Sequence, residues 1–238
     1  MVGDVNGGVW GWGSDMKGQC GGEGRIRGVR EMGWGISVCF GDAGAYHSVM
    51  VDVHGAVWSV GDNEAGQLGG GGGRRDGVVE IEMLRDMCVR KVACGGYHSL
   101  ALTEDGRVFS WGRNVNGELG LGYCPRNEPK PKLIKYFNKL GIVIKDIACG
   151  NFTSMALSEH GVLYLWGNNQ DQCLFPIDRE IIKKPKRVKG IIAMEIYCGS
   201  IEQFVVDDTG KLFAWGHNDS FQLGLPEKKI YNKPTIVE

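Results

Sequence analysis

Two short motifs recur along this chain with a common step, and that shared step restricts the fold more than any other feature. The first is an aromatic stretch ending in glycine: GVWGWGSDMKGQCG, AVWSVGDNEAGQLG, RVFSWGRNVNGELG, VLYLWGNNQDQCLF and KLFAWGHNDSFQLG. Its glycine falls at Gly13, Gly61, Gly112, Gly167 and Gly216, in steps of 48, 51, 55 and 49 residues. The second motif, GAYHSVMV, GGYHSLAL, GNFTSMAL and GSIEQFVV, begins at Gly44, Gly95, Gly150 and Gly199, in steps of 51, 55 and 49. Separate motifs hold one phase over so long a chain only when a single supersecondary unit is being repeated.

The unit reads as strands. Trp10 and Trp12, Phe109 and Trp111, Tyr164 and Trp166, and Phe213 and Trp215 are aromatic pairs two residues apart, which puts both rings on one face of a strand. A turn ending in glycine precedes each later copy of the first motif, at Val53-His54-Gly55, Glu104-Asp105-Gly106, Glu159-His160-Gly161 and Asp208-Thr209-Gly210, as hairpins require. Two further short runs lie upstream, such as VVEIEM then VRKVAC, or PKLIK then IVIKDIAC. Four strands, A to D, thus fill about 50 residues, the period of a propeller blade. The 39 glycines fit the many tight turns between such strands.

The predicted fold is all-β, a β-propeller of four-stranded antiparallel blades in one domain, residues 1–238. Its repeats run approximately 1–24 (partial), 25–73, 74–126, 127–180, 181–227 and 228–238 (partial). The chain opens with a D strand at Val9 to Trp12 and closes with Asn232 to Glu238, read as a solitary A strand. The termini then lack B and C strands, which favours an open arc over a tight five-blade ring.

Residues 89 to 122, VRKVACGGYHSLALTEDGRVFSWGRNVNGELGLG, closely resemble the repeat of the regulator of chromosome condensation family, and looser copies cover nearly all the chain. The resemblance implies a propeller, usually of seven blades, and a best-known activity as a guanine-nucleotide exchange factor for a small Ran-like GTPase. Gln172, Cys173 and Phe175 depart from the Gly-Glu-Leu-Gly pattern, and Glu202-Gln203 stands where His-Ser would.

Chemistry-bearing residues mostly follow the repeat, which argues for structure. His47-Ser48 and His98-Ser99 occupy one slot, and neighbours on a strand point to opposite faces, so neither pair is a nucleophile with its base. A hydrogen bond that stabilises the blade suits them better. Asp105 and its acidic neighbours are turn formers. The glycine run Gly69 to Gly73 before Arg74-Arg75 lacks the Lys-Ser/Thr of a phosphate loop and reads as a flexible linker. Cys94, Cys149 and Cys198 share a repeat position and no C-x-x-C pair occurs, so the eight cysteines read as reduced thiols rather than disulfides or metal ligands. No catalytic residue, metal site or cofactor is expected.

What remains is charge. The formal net charge is −1, so any electrostatic role is local. D-to-A linkers and the strands they open gather Arg25, Arg27 and Arg30; Arg74 and Arg75; Lys130 and Lys132; Lys183, Lys184, Lys186 and Arg187; and Lys228, Lys229 and Lys233. The C-to-D hairpins carry Asp52, Glu104, Asp105, Glu159, Asp207 and Asp208. One loop face is therefore expected to be basic and the other acidic. The candidate binding residues are Arg74, Arg75, Lys130, Lys132, Lys183, Lys184, Lys186 and Arg187, facing an acidic protein surface, with nucleic acid or chromatin as a secondary partner. Lys183-Lys184-Pro185-Lys186-Arg187 resembles a nuclear import signal, although Pro185 and Val188 fit an A strand. No apolar run spans a bilayer and MVGDVNGGVWGWG has no signal-peptide pattern, so the expected location is cytoplasmic or nuclear, without membrane or secretion. The function read from sequence is a non-catalytic protein-interaction module. The alternative is the exchange factor, and a propeller enzyme finds no convergent titratable groups.

Overall fold

A computed structural model of the chain describes residues 2–3, 7–20, 24–73, 77–170, 174 and 180–238. Among the described residues five antiparallel sheets follow one another. The first has three strands, β1 (Val2–Gly3), β2 (Val9–Asp15) and β3 (Gly24–Glu31). Four complete blades come next. The first blade is β4 (Val38–Ala43), β5 (His47–Asp52), β6 (Val57–Gly61) and β7 (Val79–Glu80); the second is β8 (Val89–Cys94), β9 (His98–Thr103), β10 (Val108–Arg113) and β11 (Asn127–Leu133). The third is β12 (Ile144–Cys149), β13 (Thr153–Ser158), β14 (Leu163–Asn168) and β15 (Ile181–Arg187). The fourth is β16 (Ala193–Cys198), β17 (Glu202–Asp207), β18 (Leu212–His217) and β19 (Ile230–Ile236).

Strands β4, β8, β12 and β16 pack beside one another in turn, so they are the inner strands, and β7, β11, β15 and β19 are the outer ones. Among the described residues helix is confined to a 3-10 turn at Glu82–Leu84 and one short helix, α1 (Lys135–Lys139). Phe137 of α1 is buried against Tyr164 and Trp166, with ring centroids 5.3 and 6.1 Å away. The longest repeat step, 55 residues, accommodates this insert.

The sheets are out of phase with the sequence repeat by one strand. Each blade takes its B, C and D strands from one repeat and its outer strand from the start of the next, as where Phe109 pairs with Leu133. The C-terminal segment is accordingly not solitary. Strand β19 pairs with β18 through Phe213–Ile236 and Ala214–Thr235 and completes the fourth blade. The N-terminal D strand, β2, likewise lies between β1 and β3. Among the described residues no strand pairing joins β16–β19 to β1–β3.

The Trp-Gly signature has a steric cause. In β10, β14 and β18 the pairing to the outer strand shifts at this glycine, and φ is 101°, 113° and 114° at Gly112, Gly167 and Gly216. A Cβ on Gly112 would sit 2.5 Å from the Tyr97 carbonyl oxygen. Only glycine serves at such a bulge. The preceding tryptophans, Trp111, Trp166 and Trp215, are fully buried between blades, whereas Trp12 in the three-stranded sheet is 47% exposed.

Candidate interaction surfaces

Histidine and serine of the repeated motif meet across the seams between blades. His47 Nε2 lies 2.8 Å from Ser99 Oγ, and His98 Nε2 lies 2.9 Å from Ser154 Oγ. Ser99 donates its proton to the Gln67 carbonyl at 3.0 Å, and Ser154 to the Glu118 carbonyl at 2.8 Å. Each hydroxyl has one proton, so the imidazole Nε2–H must be the donor to serine. The same two carbonyls also accept from Trp111 Nε1 and Trp166 Nε1, both at 2.7 Å. A clasp of histidine, serine, carbonyl and tryptophan therefore fastens the first blade to the second and the second to the third.

This geometry opposes serine activation, in which histidine accepts the hydroxyl proton. Burial adds to it. The His47 imidazole is pushed down to about 4 by desolvation, and His98 to about 3 by desolvation and the neighbouring His47. The thiols are no better suited to chemistry. Burial raises the Cys94 and Cys149 thiols well above their ordinary value, and Cys198 to about 12. All seven described cysteines are free, and no group of three or more His, Cys, Asp or Glu side chains among the described residues could hold a metal ion.

Six of the candidate binding residues lie within strands rather than in loops. Lys130 and Lys132 lie in β11, and Lys183, Lys184, Lys186 and Arg187 in β15, all six exposed on outer strands. Pro185 and Val188 are buried, as an A strand requires. Arg74 and Arg75 lie outside the described residues. Lysine and proline on an outermost strand also keep an open sheet edge from pairing with other chains, which accounts for their shared position in successive blades. Part of the acidic set is spent on turns: Asp52 accepts from the His54 and Ala56 amides and from Trp58 Nε1.

The run Gly69 to Gly73 is anchored rather than free. Asn63 Nδ2 donates to the Gly71 and Gly73 carbonyls, the Gly71 amide donates to the Pro129 carbonyl, and a Cβ on Gly69 would meet Trp111 Nε1 at 2.9 Å. The close approach of the next blade's tryptophan requires the first of these glycines.

The end of the blades where the B-to-C turns emerge holds an arrangement that sequence reasoning missed. The Tyr46 and Tyr97 rings lie 5.1 Å apart. The Arg113 guanidinium sits over both Tyr97 and Phe152, 5.8 and 5.1 Å from their centroids. Tyr46, Tyr97 and Phe152 occupy one motif position in three blades, so the ladder runs across two seams. Among the described residues Arg113 has Glu118 as its ion-pair partner, at 3.8 Å and so beyond hydrogen-bond range. Glu118 is 1% exposed, already accepts from the Asn116 amide and side chain, and has its carboxyl raised by burial.

Inward strands, outward edges and interlocked seams define a β-propeller whose repeated polar residues are structural. A family model described as an RCC1-like domain matches residues 1–238. The chain belongs to the RCC1-like domain family. Among relatives, the probable E3 ubiquitin-protein ligase HERC4 of Mus musculus is 42% identical over 90 residues, 38% of this chain and 8% of that protein. Human WBSCR16 superimposes with a TM-score of 0.84 at 24% identity, over 95% of this chain and 60% of that one. Prp20p of Saccharomyces cerevisiae, whose structure was described together with its binding to Gsp1p and histones, superimposes with a TM-score of 0.83 at 21% identity, over 98% of this chain and 59% of that one. The chain thus spans about three fifths of these propellers and under a tenth of the ligase. No helix among the described residues is long and apolar enough to cross a membrane.

Proposed function

We propose that this chain is a non-catalytic protein-interaction module. The observation that carries the reading is the polarity of the His–Ser bonds: the residues best suited to nucleophilic chemistry are buried, neutral and committed to holding blades together. Function then falls to exposed surfaces. The outer-strand residues Lys130, Lys132, Lys183, Lys184, Lys186 and Arg187, with Arg74 and Arg75, form the candidate surface for an acidic protein partner. The free cysteines fit a reducing compartment, cytoplasmic or nuclear.

A second reading, a nucleotide exchange factor for a small Ran-like GTPase, draws on the family resemblance and on the binding of Gsp1p described for Prp20p. One pair of experiments separates them. Affinity capture with identification of bound proteins should recover a partner whose retention falls when the six described basic residues are replaced by alanine. Nucleotide release from a panel of small GTPases should be unchanged by the protein, and accelerated release from any of them would favour the second reading.

A further inference from the structure

The Arg113 ladder lies apart from the basic outer strands and has a chemistry of its own. The guanidinium lies over rings from two blades, Tyr97 of the second and Phe152 of the third. Its side chain is 33% exposed, and among the described residues its guanidinium makes no hydrogen bond. The equivalent positions in the other blades have polar partners close by in the chain or on the neighbouring sheet. Asp62 accepts from Gln67 Nε2 at 2.8 Å and pairs with Lys17 at 3.6 Å, Asn168 accepts from the Gln170 amide, and His217 faces Asp219 at 3.4 Å. Arg113 alone of these, with the buried Glu118 only at 3.8 Å, keeps its donors free of hydrogen bonds among the described residues, and its fork matches a carboxylate held by both oxygens. Beside it Tyr46, 37% exposed, and Tyr97 form an aromatic shelf. Arginine and tyrosine are the residue types that dominate protein–protein binding energy.

Resting on the interaction-module reading, we infer that Arg113, Tyr97, Phe152 and Tyr46 form a docking site for a partner segment that presents an aspartate or glutamate carboxylate next to an apolar side chain. The carboxylate takes the guanidinium edge, and its apolar neighbour covers the Tyr46–Tyr97 shelf. Stacking between two rings has already restricted the arginine, so binding forfeits less side-chain freedom than a mobile lysine would.

The test is an NMR titration with the peptide Gly-Ser-Phe-Glu-Asp-Phe-Gly-Ser, following the Arg113 Nε–Hε resonance and the backbone amides. A saturable shift at Arg113, Tyr97 and Phe152 is expected, with binding about tenfold weaker for the Gln-Asn version of the peptide. Arg113→Lys keeps the charge but loses the fork, so it should weaken binding about tenfold. Tyr46→Ala, an exposed position, should weaken it several-fold. Lys139→Ala, on α1, should bind as the parent does, and a thermal melt verifies that each variant is folded. Equal binding by Arg113→Lys overturns the proposal, as does a saturable shift confined to β11 and β15, which would leave the interaction-module reading standing. Absence of saturable binding overturns it too. Displacement of the peptide by inorganic phosphate at lower concentration than acetate would assign the fork to phosphoryl groups instead and equally defeat it.

Discussion

The seams on either side of the third blade solve one packing problem with different residues. Between the second and third blades, His98, Ser154, the Glu118 carbonyl and Trp166 close a full clasp. Between the third and fourth, Thr153 stands in the histidine position and Gln203 in the serine position. Thr153 Oγ1 and both amide atoms of Gln203 are buried without a hydrogen-bond partner among the described residues. Trp215 is as buried as Trp166, so the indole of the seam persists where the His–Ser bond is absent. A buried polar group left unpaired costs about 1–3 kcal/mol. The buried indole and the His–Ser bond are thus separable parts of a seam, and the seam onto the fourth blade keeps the first without the second.

The largest effect should come from that apolar layer. Trp111→Ala and Trp166→Ala each remove a fully buried indole and should cost about 3–5 kcal/mol in denaturant unfolding. A loss below about 1 kcal/mol, the scale of a surface change, would show that these rings do not hold the seams. Next comes the clasp itself. His98→Ala breaks the bond to Ser154 and opens a small cavity, and should cost about 1–3 kcal/mol. Thr153→Ala should cost distinctly less, because no bond is lost there. Equal costs would remove the distinction between the seams.

Acid sharpens the same contrast. The folded-state values of His47 and His98, about 4 and about 3, lie below the roughly 6.5 of a free imidazole. As pH falls below 6.5 the unfolded chain takes up these protons first, so stability present above 6.5 declines toward pH 4 and below. Urea midpoints measured from pH 7.5 to 4.5 should fall, and less steeply in His98→Gln. An unchanged slope in that variant would mean the buried imidazole is not what acid attacks. The smallest effect is a gain. Thr153→His with Gln203→Ser should install the missing bond, with a favourable coupling of about 1 kcal/mol in a double-mutant cycle; additive single effects would show that the pair is not a lapsed clasp.

The sequence made the blades legible because their signatures are sterically forced. Trp-Gly marks a bulge that only glycine permits, and the His-Ser slot recurs because its bond closes two successive seams. Strand phase was less legible. Periodicity shows that four strands recur but not which sheet the first of them joins, and the pairing of β19 with β18 is fixed by register rather than by residue type. The basic residues were read as a loop face because the linkers were taken to project, whereas β11 and β15 carry them along the sheet edge. Arg113 escaped notice because its stacking partners come from two repeats. The available signal was its variability: Asp62, Arg113, Asn168 and His217 fill one otherwise regular position.

Hydrogen exchange at the blade amides tests the central claim most directly, because blades joined by weaker seams open at lower free energy. Amides of β9 and β13 should be the best protected, and those of β17 should exchange faster at equal solvent shielding. Thr153→His with Gln203→Ser should narrow the gap. Protection of β17 equal to that of β13 in the parent chain, or a gap that the double substitution leaves untouched, would contradict the account.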